Sequence, residues 1–223
     1  MLFRSTLVEG TRHVMQWAET SGVRNVLFVS SGAAIHRDTV YGRAKRLCEA
    51  SMRSNVKVMR VYSVVGEEMP LNGQYALGKF IYQAVIDKKV RYYGGTAQRS
   101  YLYVNDVADW LIAGLNHDGT LFGLDVGGEQ AITMAQLAEL VGNVCGVPVE
   151  KIITEPQREA GAADIYLPEP GFTQQILGVR ETVTLEEAIR RTYAHVCHSY
   201  LEPRPAVAPF SLFDSGASLH SSR

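Results

Sequence analysis

The chain has 223 residues, of which 46% are hydrophobic and 20% are charged. This is enough for one large globular domain, or two small interlocked ones, with a buried core. The 22 basic and 23 acidic residues are scattered along the chain and leave a formal net charge of -1. This balance excludes a basic stripe that would bind nucleic acid or an anionic membrane surface.

The cysteines and the apolar runs bear on the cellular compartment. Three cysteines at long spacings are typical of a reduced intracellular protein rather than a secreted one held by disulfides. No apolar run approaches the roughly 20 residues that span a bilayer, and no signal-peptide pattern follows Met1. We therefore expect a cytoplasmic protein without a membrane partner.

The first third of the chain has an α/β pattern. Apolar residues recur at helical spacing up to Ser21, which predicts an opening helix. Residues 25–29 form a β-prone run of the kind buried in parallel sheets, and they lead into Ser30. Helical spacing resumes over residues 41–52, and residues 56–65 have the pattern of another buried strand. Such a strand, helix and strand favour a right-handed parallel crossover.

The rest of the chain alternates short strands with helices and ends in a polar tail. The first predicted helix has an apolar face made of Leu77, Phe80, Ile81, Ala84 and Val85, and strands are predicted over 90–93 and 101–104. A helix to Leu115, capped by Asn105 or Asp106, is followed by a strand over 121–126 that rejoins the main sheet. Two further helices have capping boxes, Thr133 with Gln136 and Thr184 with Glu187. Residues 202–223 are rich in Pro, Ser and Gly, which indicates a disordered tail.

The motif YGRAK, from Tyr41 to Lys45, carries the clearest chemical signal. Four residues of separation place the phenol and the ammonium on one helix face, one turn apart. A phenol that works as an acid or base near neutral pH needs such a cation beside it. Ser31 adds a hydroxyl at the end of the preceding strand, where open α/β sheets bind ligands. The same spacing also arises by chance on many helices, and a Ser pair before a turn is often a loop signal.

The order of several motifs resembles the extended short-chain dehydrogenases/reductases that act on nucleotide sugars. The motifs are Gly10-Thr11 in the opening helix, Ser30-Ser31 after the strand, Tyr41, Lys45 and Glu49 in the next helix, an Arg, aromatic and Gly run over 60–66, and RSYLYVNDVADWL over 99–111. The last stretch is the most specific text in the sequence.

This resemblance implies a role for each matching residue. Tyr41 would be the general acid/base at a sugar hydroxyl, Ser31 its hydrogen-bonding partner, and Lys45 the cation that activates the phenol and holds the nicotinamide ribose. The residues implied to contact NAD or NADP are Ser30, Tyr41 and Lys45, and those implied to contact the nucleotide sugar are Tyr62, Ser63, Arg99 and Arg158. A planar guanidinium at Arg99 suits the paired oxygens of a diphosphate.

The sequence also departs from the family pattern. No GxGxxG or GxxGxxG fingerprint precedes the opening helix, so the turn that cradles the cofactor's pyrophosphate is not recognised. Only a short GAAIHRDTV separates Ser31 from Tyr41, where relatives have a Tyr-Gly pair and a longer loop, and Leu7 replaces the usual Asn. We expect an N-terminally truncated member or a true start upstream of Met1.

The predicted fold class is α/β, a partial Rossmann-like, doubly wound parallel sheet with a smaller α/β substrate-binding domain. The expected division assigns residues 1–68 and 107–128 to the NAD(P)-binding domain, 69–106 and 129–201 to the substrate-binding domain, and 202–223 to the tail. The resemblance implies a homodimer through helices flanking the sheet. His195, Cys197 and His198 do not have the spacing of a common structural zinc site, and we predict no metal.

Three interpretations follow from the sequence. The first is an NAD(P)-dependent epimerase/dehydratase that acts on a nucleotide-activated sugar through transient oxidation at C4. The second is a non-catalytic module that binds a nucleotide sugar or associates with another subunit. The third is a truncated reading frame. The base, the sugar and the choice among epimerisation, dehydration and reduction stay open, because few pocket residues decide them.

Overall fold

The computed structural model describes residues 2–71, 73, 75–94, 96–152 and 164–201. Its elements, in chain order, are α1 (Leu2–Thr20), β1 (Val26–Ser31), α2 (Ala33–His36), α3 (Val40–Ala50), β2 (Val56–Val61), β3 (Val64–Val65), α4 (Ala76–Ile86), β4 (Val90–Tyr93), β5 (Gln98–Arg99), β6 (Leu102–Tyr103), α5 (Val104–Asn116), β7 (Phe122–Val126), β8 (Ile132–Thr133), α6 (Met134–Cys145), β9 (Val149–Ile152), β10 (Ile165–Tyr166), α7 (Gly171–Leu177) and α8 (Leu185–Leu201).

The main sheet contains three parallel strands in the order β1-β2-β7. Ser31 pairs with Val61 in the β1-β2 register, and Val61 pairs with Val126 in the β2-β7 register. The carboxyl ends of all three strands therefore lie at the same edge. Helices cover both faces, because α1 and α3 pack beside Phe28 on one side while α5 packs its Trp110 on the other. The α/β, doubly wound expectation is confirmed, and β7 rejoins the sheet as predicted.

A separate hydrophobic core lies among α4, α6 and α8. These helices contact one another, and their buried side chains include Leu77, Leu137 and Ile189. The other described strands form three smaller sheets: the pair β4-β9, the pair β3-β6, and the three strands β10-β5-β8. No helix in the described ranges is long and apolar enough to cross a membrane.

Two differences from the sequence expectation lie after β2 and after β1. The single strand expected over residues 56–65 is split, because Tyr62 and Ser63 leave the main sheet and β3 pairs with β6 instead. A four-residue helix, α2, occupies the short connection after β1. Tertiary pairing, which local periodicity does not report, causes the first difference.

The expected caps are partly confirmed. Thr133 and Gln136 form the complete capping box of α6, and the Thr184 hydroxyl accepts from the Glu187 N–H at the start of α8. The prediction that Asn105 or Asp106 caps α5 is wrong, since the capping position is Tyr103.

Asp106 lies inside α5 and is 2% exposed. Its carboxylate accepts hydrogen bonds from the Thr182 hydroxyl and from the backbone N–H groups of Thr182 and Val183. A buried carboxylate needs such partners, because an unpaired charge in the interior is costly. Asp106 therefore fastens α5 to the segment that leads into α8.

Replacing Gly42 with Ala is expected to destabilise the fold by at least about 1–3 kcal/mol. Gly42 is buried in the first turn of α3, and a Cβ there would overlap the carbonyl oxygens of Arg37 and Ala33. These are backbone atoms of the α2 segment, so relief requires α3 and α2 to separate. Chemical denaturation of the purified variant measures the change in the free energy of unfolding.

Gly10→Ala is the matched control for this prediction. Gly10 lies in α1, and a Cβ there would meet nothing within 4 Å. Alanine is expected to stabilise the helix by about 0.5–1 kcal/mol, because it loses less conformational freedom than glycine. Equal effects of the two substitutions would contradict the close packing of α3 on α2.

Candidate functional site

Polar side chains converge at the carboxyl edge of the main sheet. Ser31 ends β1, Tyr62 directly follows β2, and Asp125 lies near the end of β7. Parallel strands place their carboxyl ends together, and open α/β sheets bind their ligands at this edge. The candidate site lies here, and α2, α3 and β10 contribute its remaining residues.

Ser31 contacts the tyrosine of β10 across the site. Its Oγ lies 3.3 Å from the Tyr166 hydroxyl and accepts a hydrogen bond from the Ala33 N–H at 3.2 Å. Burial raises the pKa of Tyr166, and the neighbouring Tyr41 adds to this shift, while Ser31 opposes it. Tyr166 therefore remains a neutral phenol beside the serine.

Tyr41 and Lys45 lie one turn apart on α3, as their spacing predicts. Thr39 caps this helix by accepting from the Gly42 N–H at 3.0 Å, which fixes the first turn where Tyr41 lies. The Lys45 Nζ lies 5.9 Å from the centre of the Tyr41 ring and 4.8 Å from that of Phe28. Tyr41 is 38% exposed, so the phenol can reach a ligand.

The Lys45 ammonium faces the first strand. Nζ donates to the Val29 carbonyl oxygen at 2.9 Å. Burial lowers the pKa of Lys45, while the nearby Cys48 and Glu49 oppose that shift. A partly desolvated ammonium interacts more strongly with a neighbouring oxygen than a fully solvated one does. Lys45 can therefore act electrostatically on groups next to α3.

An ion pair between Glu49 of α3 and Arg60 of β2 lies beside the ends of β1 and β2. The Ser30 hydroxyl donates to Glu49 at 2.6 Å, and Arg60 donates to both oxygens of the same carboxylate at 2.9 and 2.7 Å. The side chains of Glu49 and Arg60 are 6% and 16% exposed. The hydrogen bond to Glu49 raises the pKa of Arg60, against the effect of burial. Ser30, expected to contact the cofactor, is thus directed into the protein.

A hydrogen-bonded chain links α2 to β7. The His36 Nε2 lies 2.9 Å from the Tyr62 hydroxyl, which donates to Asp125 Oδ2 at 3.1 Å. Burial, followed by Asp125, strongly raises the pKa of Tyr62. Among the described residues, Asp125 Oδ1 is one of two buried side-chain oxygens without a hydrogen-bond partner. The hydroxyl of the buried Tyr62 therefore contacts both His36 and Asp125. The carbonyl oxygen of the adjacent Ser63 accepts a hydrogen bond from the Leu102 N–H.

Two arginines hold one aspartate near Tyr166. Arg99, on β5, donates to the Asp164 carboxylate at 2.6 Å and to the Asp164 carbonyl oxygen at 2.7 Å. Arg37, after α2, forms an ion pair with the same carboxylate. Partial burial opposes ionisation of Asp164, but hydrogen bonds from Arg37 and Arg99 outweigh it and lower the pKa of this carboxyl.

Ser31 thus contacts Tyr166 at the carboxyl end of β1, and Tyr62 and Arg99 lie near the same tyrosine ring. Tyr41 and Lys45 lie one turn apart on α3, where the Lys45 ammonium bonds to Val29 within β1. Arg158 and the tail over 202–223 lie outside the described residues. The sequence analysis missed His36, Arg37, Asp125 and Tyr166. Asp125 lies one residue before the end of the strand predicted over 121–126, and this was its one local signal. The other three lie in segments without periodicity.

The His195 side chain has partners other than a metal. It lies 3.1 Å from Glu68 and 3.4 Å from the Ser199 hydroxyl. Within the described ranges, no group of three His, Cys, Asp or Glu residues could hold a metal ion.

Comparisons with known proteins give a consistent result. Residues 3–122, more than half of the chain, match the NAD dependent epimerase/dehydratase family. UDP-glucuronic acid decarboxylase 1 of Xenopus tropicalis is 27% identical over 154 residues, which cover 67% of this chain and 36% of that protein. The chain thus spans about a third of the length of this relative.

Solved structures share the fold. UDP-glucose 4-epimerase of Thermotoga maritima, solved with UDP-glucose, has a TM-score of 0.78 at 21% identity and covers 89% of this chain and 71% of its own. UDP-glucuronic acid 4-epimerase of Bacillus cereus, solved with NAD, has a TM-score of 0.73 at 15% identity. The match covers 87% of this chain and 66% of that protein. These structures share the fold, and the match over residues 3–122 shows the family: the chain belongs to the NAD dependent epimerase/dehydratase family.

Proposed function

We propose that the chain acts as an NAD(P)-dependent epimerase or dehydratase on a nucleotide-activated sugar. The reaction proceeds through transient oxidation at C4 of the sugar at Ser31, Tyr41 and Lys45. The observation that carries this proposal is that Tyr41 and Lys45 lie one turn apart on α3, and that α3 packs against β1, the strand that ends in Ser31. The neighbours solved with UDP-glucose and with NAD support the substrate and cofactor classes.

Each of the three residues handles the sugar hydroxyl in a different way. Tyr41 takes the proton of the C4 hydroxyl and later returns it, as a general acid/base. Lys45, 5.9 Å from the Tyr41 ring, stabilises the phenolate that forms. Ser31 hydrogen-bonds to the same sugar hydroxyl and orients it. To do so, the Ser31 Oγ gives up its contact with the Tyr166 hydroxyl.

The residues present fit the nicotinamide end of the cofactor. NAD(P), when bound, supplies a hydride acceptor for C4. Tyr41 and Lys45 would hold its ribose, provided that Nζ leaves the Val29 carbonyl. Ser30 acts indirectly, because its bond to Glu49 fixes the strand end. The pyrophosphate end needs a glycine-rich turn before a helix, and the sequence contains no such fingerprint.

Four residues outside α3 are the proposed substrate contacts. Arg99 binds the diphosphate, with Arg158 as a further phosphate contact, and Tyr62 and Ser63 line the sugar pocket. In this proposal residues 1–68 and 107–128 form the cofactor domain, and residues 69–106 and 129–201 form the substrate domain. The buried core among α4, α6 and α8 supports the second domain.

We also propose a cytoplasmic homodimer that uses the helices flanking the sheet. Trp17 and Val14 on α1 are 63% and 57% exposed, and Leu47 on α3 is 42% exposed. Apolar side chains of this size on neighbouring helices favour association. The three cysteines are free, which suits a reducing compartment.

A second candidate function is nucleotide-sugar binding without catalysis. It is favoured by the hydrogen bond between the Lys45 Nζ and the Val29 carbonyl oxygen. A binding module would keep Arg99 and its surroundings but would not need Lys45 to reach a cofactor.

Calorimetric titration with UDP, dTDP, CDP and GDP sugars, with and without NAD, separates the two functions. For the enzyme, NAD binds to the wild-type protein and fails to bind when Tyr41→Phe is combined with Lys45→Ala. Sugar-nucleotide binding that is independent of both NAD and these substitutions would establish the binding module. Absence of turnover with every nucleotide sugar, by folded protein that binds NAD, would exclude the active enzyme.

A further inference from the structure

The ion cluster of Arg37, Arg99 and Asp164 has the composition of an occupied anion site. Two guanidinium groups converge on one carboxylate, and Arg99 also donates to the Asp164 carbonyl oxygen. The side chains of Arg37, Arg99 and Asp164 are 30%, 21% and 44% exposed, so solvent and solutes reach the cluster. The Asp164 side chain is the most exposed of the three.

Each arginine contacts one oxygen of the Asp164 carboxylate, and a diphosphate would offer oxygens to the same donors. Guanidinium groups donate paired N–H bonds to carboxylates and phosphates alike, because both anions present two oxygens at similar spacing. A diphosphate carries more negative charge and more acceptor oxygens than one carboxylate. It would therefore compete with Asp164 for the same donors.

The position of the cluster relative to Ser31 fits a nucleotide sugar. Arg37 and Arg99 lie over the Tyr166 ring, at 5.2 and 5.9 Å from its centre. The hydroxyl of the same ring lies 3.3 Å from the Ser31 Oγ. Both guanidinium groups thus lie next to the ring whose hydroxyl contacts Ser31. In a nucleotide sugar the diphosphate likewise lies one sugar ring away from C4.

We propose that Arg37 and Arg99 form a two-armed site for the diphosphate of a nucleoside diphosphate, and that Asp164 occupies this site until the ligand displaces it. Arg37 is the new arm, and Asp164 is an internal competitor that lowers affinity for every such ligand. The inference rests on the proposed function for the identity of the ligand, but its test does not require turnover.

The test measures the binding of UDP and of inorganic pyrophosphate by calorimetry. Asp164→Asn removes the competing charge and is expected to tighten binding about 3- to 10-fold. Arg37→Ala removes one arm and is expected to weaken binding about 10- to 100-fold. UMP, which lacks the second phosphate, is expected to respond less to both substitutions.

Asp38→Asn and Arg43→Ala are the matched controls. These residues form an ion pair with each other near Arg37, and Asp38 is 81% exposed. Each control makes the same change in net charge as its partner variant and is expected to leave affinity unchanged. Should Asp164→Asn fail to fold, the comparison of Arg37→Ala with Arg43→Ala decides the question alone.

Equal affinities of Asp164→Asn and Asp38→Asn, or of Arg37→Ala and Arg43→Ala, would overturn the inference. In that case turnover of a nucleotide sugar by the wild-type protein would still uphold the proposed function. Conversely, tighter UDP binding by Asp164→Asn in a protein without turnover would uphold the inference and count against the proposed enzyme.

Discussion

Replacing Tyr41 with Phe is expected to lower the turnover number for a nucleotide-sugar substrate about 100- to 10,000-fold, the usual contribution of a positioned general acid/base. The substitution removes the hydroxyl that exchanges the proton with the sugar and leaves the ring, which is 38% exposed, in place. Substrate affinity is expected to change little, because the diphosphate contacts lie elsewhere. Steady-state kinetics with the best substrate from the binding titrations measures the effect.

Tyr75→Phe is the control for this prediction. Tyr75 is 56% exposed, precedes α4 and lies outside the proposed site, so its hydroxyl should not affect turnover. A Tyr41→Phe enzyme that keeps more than about a tenth of wild-type turnover would lie outside the expected range and would remove Tyr41 from the mechanism.

Glu49→Ala is expected to destabilise the protein by about 3–5 kcal/mol, because it leaves Arg60 charged without its buried partner. Arg60 is 16% exposed and donates twice to the Glu49 carboxylate, and the Ser30 hydroxyl donates to it as well. The substitution thus removes three hydrogen bonds from the ends of β1 and β2. Urea denaturation followed by circular dichroism measures the free energy of unfolding.

The matched control is Glu19→Ala. Glu19 pairs with Arg53 at the surface, where the two side chains are 48% and 69% exposed. Exposed pairs typically contribute about 0–1 kcal/mol, since water screens them. If both substitutions cost the same, the Glu49 and Arg60 pair does not fix the strand ends as described.

Local sequence patterns predicted much of the main sheet. The β-prone run over 25–29 became β1, and four-residue spacing placed Tyr41 and Lys45 one turn apart on α3. Both features depend on neighbouring residues only, so a single sequence contains the information. The resemblance to nucleotide-sugar enzymes added Arg99, whose position near Tyr166 depends on the whole fold.

Contacts between distant residues explain what the sequence did not reveal. Asp106 has the sequence pattern of a helix cap, but it lies inside α5. Its carboxylate is stabilised there by hydrogen bonds from Thr182, which is 76 residues away in the sequence. Asp164 lies 65 residues from Arg99, in a segment without periodicity. The chain of His36, Tyr62 and Asp125 exists because β2 lies between β1 and β7, an order that spacing alone does not determine.

In the proposed reaction Ser31, Tyr41 and Lys45 remove the proton of the C4 hydroxyl of a nucleotide sugar, and NAD or NADP, when bound, would accept the hydride. A single-turnover experiment tests it most directly: the protein is mixed with NAD or NADP and with a tightly bound nucleotide sugar, and reduced nicotinamide is followed by its absorbance. Reduced nicotinamide is expected to form more slowly when the C4 hydrogen is replaced by deuterium, and not to form when Tyr41→Phe is combined with Lys45→Ala. A folded protein that binds both ligands and never reduces the cofactor would contradict it.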